Sequence, residues 1–373
     1  MTLPSIAEEF MELVRLEVGS RHERAIADAV KPKLAALGFT VEEDSTGKII
    51  GGDTGNLIAR LKGDPGLPPV LFSAHLDRVD NHGRIQPEIS SGNDVIHSDG
   101  TSILAADDVS GICSILYGVR KIVAEKVPHG DIEVVLSVAE EVGLLGARYL
   151  DYSKVNSKMA YVIDVGGPVG AIVNQAPTQY TFIVKVHGRS AHAGIEPEKG
   201  LSAIRVAAVA LTRLREGRLS EFSTANFGVI QAGKATNIVC DLAEIQGECR
   251  SLKPDELTSY INEVKTIFAE VAREFNTEIE LEERLEYQTF KVEEDEPVIQ
   301  IAVRAMKSLG LAPKINASGG GMDGNYFNLN NIKAIGIAPG FIGVHTSQEQ
   351  QSVSELVKCG ELVTAIIKEA ARP

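Results

Sequence analysis

Tryptophan is absent from the 373 residues, and aromatic residues make up only 5 %. A stacking platform for sugar rings or single-stranded bases, which needs exposed aromatic faces, is not expected. Basic residues are in deficit: 37 Lys and Arg against 51 Asp and Glu leave a net charge of −14. Nucleic acid and anionic membrane surfaces call for a basic face, so neither is expected as a partner. No apolar run reaches the roughly 20 residues of a membrane-spanning helix. The opening Met-Thr-Leu-Pro-Ser-Ile-Ala-Glu-Glu-Phe has neither the basic stretch nor the apolar core of a secretion signal, so a cytoplasmic protein is expected. The four cysteines, Cys113, Cys240, Cys249 and Cys359, include no Cys-x-x-Cys. They read as free thiols of a reducing compartment, with Cys240–Cys249, nine apart, the one pair left open for a disulfide.

What is present is ordinary globular material, 44 % hydrophobic and 24 % charged, in a chain long enough for two domains. Apolar residues at helical spacing predict helices over 5–16, 110–124, 143–150, 297–309 and 353–371, and one that follows a Ser20–Glu23 capping box, carries Ala25, Ile26, Val30 and Leu34, and ends at Gly38. Apolar runs predict strands over 56–62, 69–74, 132–139, 159–165 and 332–338, with a hairpin around Gly92-Asn93-Asp94. Strands alternating with helices argue for an α/β fold, a largely parallel sheet sandwiched by helices. After Pro177 the pattern changes. Strand 180–187, helix 199–215, strands 226–232 and 238–249, helix 255–274 and strand 277–289 follow in β-α-β-β-α-β order, which is ferredoxin-like. Residues 178–290 are therefore expected as a domain inserted into a first domain made of 1–177 and 291–373. The Gly319–Gly321 run lacks the Lys-Ser/Thr of a phosphate loop and suits flexible backbone near a substrate or hinge.

The chemistry gathers where predicted strands end. Ser73-Ala-His75-Leu-Asp77 closes an apolar strand, and His75 and Asp77, two apart, share one face of an extended backbone. Asp107-Asp108 opens a helix, Glu140-Glu141 follows strand 132–139, Asp164 ends the next strand, and His345 sits in Gly343-Val-His-Thr-Ser. These are the C-terminal strand ends at which α/β sheets build sites. Each has a plainer reading: Asp107 as an acid at a helix N-terminus, Glu140-Glu141 as a solvated turn, Asp164 as a cap, His75 as a satisfied core histidine. Five such positions together favour an imidazole and carboxylate donor set, suited to Zn²⁺, Co²⁺ or Mn²⁺. His22, His82, His97 and His129 lack such partners and read as surface residues.

The sequence resembles the M20 family of dinuclear zinc peptidases, and within it the peptidase T-like branch. The motifs that carry the resemblance are Ser73-Ala-His-Leu-Asp77, Asp99-Gly-Thr-Ser-Ile-Leu-Ala-Ala-Asp107-Asp108-Val-Ser-Gly111, Val138-Ala-Glu140-Glu141-Val-Gly-Leu-Leu-Gly-Ala147, Ile163-Asp164, Gly188-Arg-Ser-Ala-His192-Ala-Gly194, Thr236-Asn237, Gly247-Glu-Cys-Arg250-Ser251 and Gly319-Gly-Gly-Met-Asp-Gly324. They span most of the chain in the family's order. The resemblance implies two divalent metal ions per subunit, zinc with cobalt or manganese as alternatives. Asp107 would bridge them, His75 and Asp164 would complete one, and Glu141 and His345 the other. Glu140 would be the general base toward the bridged water, and Asp77 would orient the His75 ring. A cis peptide between Asp107 and Asp108 is also implied.

The implied activity is hydrolysis of peptide bonds in short peptides by an aminopeptidase or tripeptidase. His192, Asn237 and Arg250 would bind substrate. His192 would donate to the developing oxyanion from the inserted domain of a partner subunit, making that domain the lid and dimerisation domain of a homodimer. An arginine fork suits a substrate carboxylate. Domain closure follows if both domains contribute. The alternative within the family is an amidase (deacetylase, desuccinylase or carboxypeptidase) acting on N-acyl amino acids. A binding module that has lost its site would lack a ligand or the base, and here every one is present.

Overall fold

The computed structural model describes residues 3–79, 84–90, 92 and 94–372. Their contacts divide the chain into two units: 1–175, 290–318 and 322–373 form the first, and 176–289 with Gly319–Gly321 the second.

The first unit is built on a nine-stranded mixed sheet. Its centre is parallel. Val70–His75 lies between Ile132–Ser137 and Met159–Val162, and Lys333–Ile337 continues beyond the latter. Strands covered on both faces read as unbroken apolar runs, and every residue of Val70–His75 and Ile132–Ser137 is buried. Leu57–Leu61 runs antiparallel on the far side of Ile132–Ser137, with Thr40–Glu43 at the edge. Ala171–Ala176 pairs antiparallel with Lys333–Ile337 and parallel with Lys314–Ala317. Register decides what comes next. His75 stands opposite Ser137, and Ser73 opposite Val162, so the three chains leave the sheet side by side.

A small antiparallel sheet joins Phe341–Ile342, Gln350–Ser352, Val95–His97 and Glu88–Ile89. The last two strands are the hairpin expected around Gly92-Asn93-Asp94, although Asn93, like His82, lies outside the described residues. The first two hold the loop of His345 between them.

The second unit is a five-stranded antiparallel sheet in the order Gly217–Arg218, Ser223–Ala232, Leu242–Ser251, Thr178–His187, Ile279–Tyr287. Apart from the short first strand this is the ferredoxin-like order. Helices Ala203–Arg213 and Pro254–Glu274 bury Val206, Ala210, Val264 and Phe268 against Phe182, Val184 and Ile245. The strand expected at 238–249 begins instead at Leu242. Residues 237–241 bond to the neighbouring loop and helix start, through Ala193 N–H to the Asn237 carbonyl, Val239 N–H to Ala191, Ala203 N–H to Cys240 and Gly188 N–H to Asp241.

All four cysteines are free and buried, so Cys240 and Cys249 form no disulfide. No helix among the described residues is long and apolar enough to cross a membrane.

Helices Ala106–Glu125 and Val353–Ala370 cross at Gly118, where an added Cβ would lie 2.6 Å from Val363 Cβ and 2.8 Å from the Gly360 carbonyl oxygen. Neither neighbour is a flexible side-chain end. Gly118→Ala gains about 1 kcal/mol of helix propensity but forces overpacking worth about 1–3 kcal/mol. A net loss of stability is expected, seen as a lower urea midpoint at unchanged slope; an unchanged or higher midpoint would show that the helices part freely.

Candidate metal centre

The donors expected from the sequence that belong to the first unit converge. His75 is buried at its strand end, with Nε2 3.0 Å from Asp107 Oδ1 and 3.8 Å from Asp164 Oδ1. His345 faces the other oxygen: its Nε2 lies 3.4 Å from Asp107 Oδ2 and 3.0 Å from Glu141 Oε1. The two oxygens of Asp107 thus address two separate imidazole–carboxylate pairs. Donor atoms of His75, Asp107 and Glu141 all lie within 4.8 Å of one another, as do those of His75, Asp108 and Asp164. Asp108 is already committed, since its oxygens accept the N–H groups of His75 (3.1 Å) and Gly111 (3.0 Å). We therefore read Asp108 as support for the donors.

Local backbone explains the presentation of Asp107. Ala105 is left-handed (φ 60°), Asp107 (φ −83°, ψ 102°) and Asp108 (φ −125°, ψ 34°) are non-helical, and the peptide between them is cis, as the resemblance implied. Regular helix starts only after Asp108. Gly111 must be glycine, because a Cβ there would meet Asp108 Oδ1 at 2.5 Å.

Asp77 contacts both the His75 ring and the turn that carries Glu140. The Nδ1 of His75 is 2.9 Å from the Asp77 backbone carbonyl and 3.4 Å from its carboxylate. Donation from Nδ1 to that carbonyl fixes the tautomer that leaves Nε2 free as a ligand. The Asp77 carboxylate accepts the N–H of Glu140 (2.9 Å), the N–H of Glu141 (3.2 Å) and the hydroxyl of Ser20 (2.7 Å). The Asp77 carboxylate thus lies beside the His75 ring, as their shared strand face suggested, and also takes up N–H groups of the turn after Ile132–Ser137, which have left the sheet.

The electrostatics are those of crowded, buried carboxylates. Burial alone would lower the His75 imidazole, but its bonds to Asp107 and Asp77 and the charge of Asp164 outweigh it and hold the ring well above its usual value. His345 is raised to about 10 by its bonds to Asp107 and Glu141. Burial opposes the ionised form of Asp107, yet bonds from His345 and His75 hold it below the usual carboxylate range. Asp164 is pushed well up by burial and by the Asp107 charge. Glu140 is pushed well up by burial and by Glu141, Asp323 and Asp77.

Three further buried acids, none expected at the site from the sequence, bind its surroundings. Glu23 accepts the N–H of Ala139 (2.9 Å) and of Arg21 (2.7 Å). Glu349 accepts from Leu104, Ala105 and Asp107. Asp323, from the Gly319–Gly324 motif, accepts the Ser137 hydroxyl at 2.5 Å while its other oxygen is buried without a protein partner. Asp323 lay in a glycine-rich motif and Glu23 in the expected capping box, whose Ser20 bonds Asp77 instead; Glu349 is a single acid in an unremarkable stretch.

His192, Asn237 and Arg250 belong to the second unit. His192 and Asn237 are exposed neighbours, joined through a bridge between His192 and Ile238. Arg250 lies near the opposite end of strand Leu242–Ser251, gripping Glu248 through Nε and Nη2, both at 2.9 Å. Of the remaining histidines, His22 is exposed, whereas His97 and His129 are half-buried and bond neighbouring carbonyls.

The chain is similar to known proteins along its length. Residues 179–276 match the M20 model described as a peptidase dimerisation domain, and residues 56–178 match the model of peptidase family M28. The uncharacterised protein YqjE of Bacillus subtilis is 38 % identical over 367 residues, 98 % of each chain. The crystal structure of aminopeptidase PepT from Bacillus cereus matches with 38 % identity and a TM-score of 0.87, covering 100 % of both chains. That of a tripeptidase from Staphylococcus aureus matches with 33 % identity and a TM-score of 0.93, again over 100 % of both chains. With these likenesses running the whole length, the chain belongs to the M20 family of metallopeptidases, among its peptidase T-like members.

Proposed function

We propose that the protein is a dinuclear metallo-aminopeptidase that releases the N-terminal residue of short peptides, tripeptides foremost. The observation that carries this reading is Asp107, whose two carboxylate oxygens face two different histidine–carboxylate pairs. Imidazole and carboxylate donors without thiolate fit two divalent cations of the Zn²⁺, Co²⁺ or Mn²⁺ kind. His75 and Asp164 would hold one, His345 and Glu141 the other, with Asp107 shared. When bound, the cations supply a water acidified for attack and a polarised scissile carbonyl.

Glu140 is the residue we assign to the proton. It is buried, its backbone is fixed by Asp77, and its neighbour Glu141 points to His345, so adjacent side chains divide base and ligand roles. Its raised proton affinity suits a carboxylate that takes a proton and returns it to the leaving amine. Asn237 and His192 would bind substrate, His192 as a donor to the oxyanion, and Arg250 would take a substrate carboxylate. Leu242 to Arg250 spans about 26 Å at about 3.3 Å per residue, while an extended tripeptide is only about 10 Å long. One substrate cannot reach both ends of that strand, which favours His192 and Asn237 serving the site of a second copy in a homodimer. The free, buried cysteines suit the cytoplasm.

Three outcomes are expected. Hydrolysis of Ala-Ala-Ala should be abolished by chelation and restored by Zn²⁺ or Co²⁺, with N-acetyl amino acids left untouched; cleavage of the N-acyl substrates alone would make the enzyme an amidase of the same family. Glu140→Gln should keep its metal content by elemental analysis and lose about 10²–10⁴-fold in kcat, and a variant with normal turnover would remove Glu140 as the base. Mixing Glu140→Ala with His192→Ala chains should restore up to about a quarter of wild-type activity if His192 acts across a twofold interface, and none if it acts within one chain.

A fourth outcome concerns protons. In the cation-free protein His75 and His345 are held above their ordinary values, so at pH 7 they carry protons that a cation must displace. Zn²⁺ binding should release protons and tighten as pH rises. Calorimetry in buffers of differing ionisation enthalpy checks this; a binding heat independent of buffer would contradict it.

A further inference from the structure

We infer that Glu349 is a positioning residue: it locks the loop of Asp107 to the loop of His345, and the cation site between those two ligands depends on it. The inference rests on the two-cation reading above.

Glu349 stands at the base of the loop that His345 occupies, between strands Phe341–Ile342 and Gln350–Ser352. That loop is tied to itself. The Thr346 hydroxyl bonds the Gly343 carbonyl at 2.7 Å, and the Glu349 N–H bonds the Thr346 carbonyl at 3.1 Å. Gly343 is left-handed, and a Cβ there would meet the Gln348 carbonyl oxygen at 2.8 Å. His345 itself holds a positive φ of 61°.

The Glu349 side chain leaves this loop and is only 1 % exposed. Its Oε2 accepts the N–H groups of Leu104 and Ala105, both at 2.8 Å, and its Oε1 accepts that of Asp107 at 3.0 Å. These three donors surround the left-handed turn at Ala105, where neither helix nor sheet offers an acceptor. A buried N–H left without an acceptor costs about 1–3 kcal/mol, so the turn and the acid depend on one another. One side chain thereby sets the spacing of Asp107 Oδ2 from His345 Nε2, which is 3.4 Å. Nothing comparable joins Glu349 to His75 or Asp164 among the described bonds, so the effect falls on one cation site more than on the other.

The test is Glu349→Gln. A carboxamide has one oxygen and one NH₂, so it must set a donor against a donor either at Asp107 or at Leu104 and Ala105. Zn²⁺ titration of the metal-free protein by calorimetry, with metal content after equilibrium dialysis, should show one site weakened by about 10- to 100-fold and the other by clearly less. In the double variant with His345→Ala, Glu349→Gln should add nothing further at the weakened site. A residue that merely stabilised the fold would lower the melting temperature of the metal-free protein without separating the two affinities. Unchanged affinity at both sites, or equal weakening of both, would overturn the inference. Glu349→Ala serves as the stronger variant, with circular dichroism as the check on folding; if it unfolds, the glutamine variant decides. A wild-type protein that binds fewer than two Zn²⁺ would instead remove the two-cation reading itself.

Discussion

The structure depends on holding mutually repelling carboxylates in one small volume out of water. Asp107, Asp164, Glu140 and Glu141 come together with His75 and His345, and Asp77, Asp108 and Asp323 lie close behind them. Two like charges 4 Å apart at a protein surface repel by about 4 kcal/mol, against total folding stabilities of about 5–15 kcal/mol. Two imidazoles relieve only part of this. The opposite displacements of Asp107, pushed down, and of Asp164 and Glu140, pushed up, record the imbalance. Asp107, with an imidazole on each side, is where that relief centres.

The sheet makes that crowding sustainable. Parallel strands deliver their ends to one edge, and the pairing of His75 with Ser137 and of Ser73 with Val162 decides which residues arrive together. A slip of one residue would turn His75 toward the opposite face. The apolar strand bodies prevent it, because every residue of Val70–His75 and Ile132–Ser137 is buried. The rigidity of the site is therefore borrowed from hydrophobic packing below it.

Above the sheet the chain turns sharply, and backbone N–H groups lose their ladder partners. Buried carboxylates take them up. Asp77 holds Glu140 and Glu141, Glu23 holds Ala139, Asp108 holds His75 and Gly111, and Glu349 holds Leu104, Ala105 and Asp107. Ala105 and Ala139 are left-handed without being glycine. Such conformations persist where the surroundings over-determine them, which these bonds do. The candidate donors are thus aimed by a layer of acids that bind the backbone.

Composition, apolar runs and strand-end polar residues were enough to read the α/β class, the ferredoxin-like insertion and the converging donors, because burial on both sheet faces and metal chemistry leave strong local marks. Short edge elements were not legible. Thr40–Glu43 is half exposed along its length, Lys314–Ala317 is four residues long, and the hairpin at Phe341–Ser352 takes its pairing from Val95–His97 far away in the chain. Only the tertiary structure decided that Asp77 also serves the Glu140 turn, that Asp108 binds the N–H groups of His75 and Gly111, and that Glu349 reaches Asp107 across 242 residues of sequence. An acid that binds backbone amides needs no neighbours of its own kind, so it leaves no pattern in the sequence until folding brings a turn to its side chain.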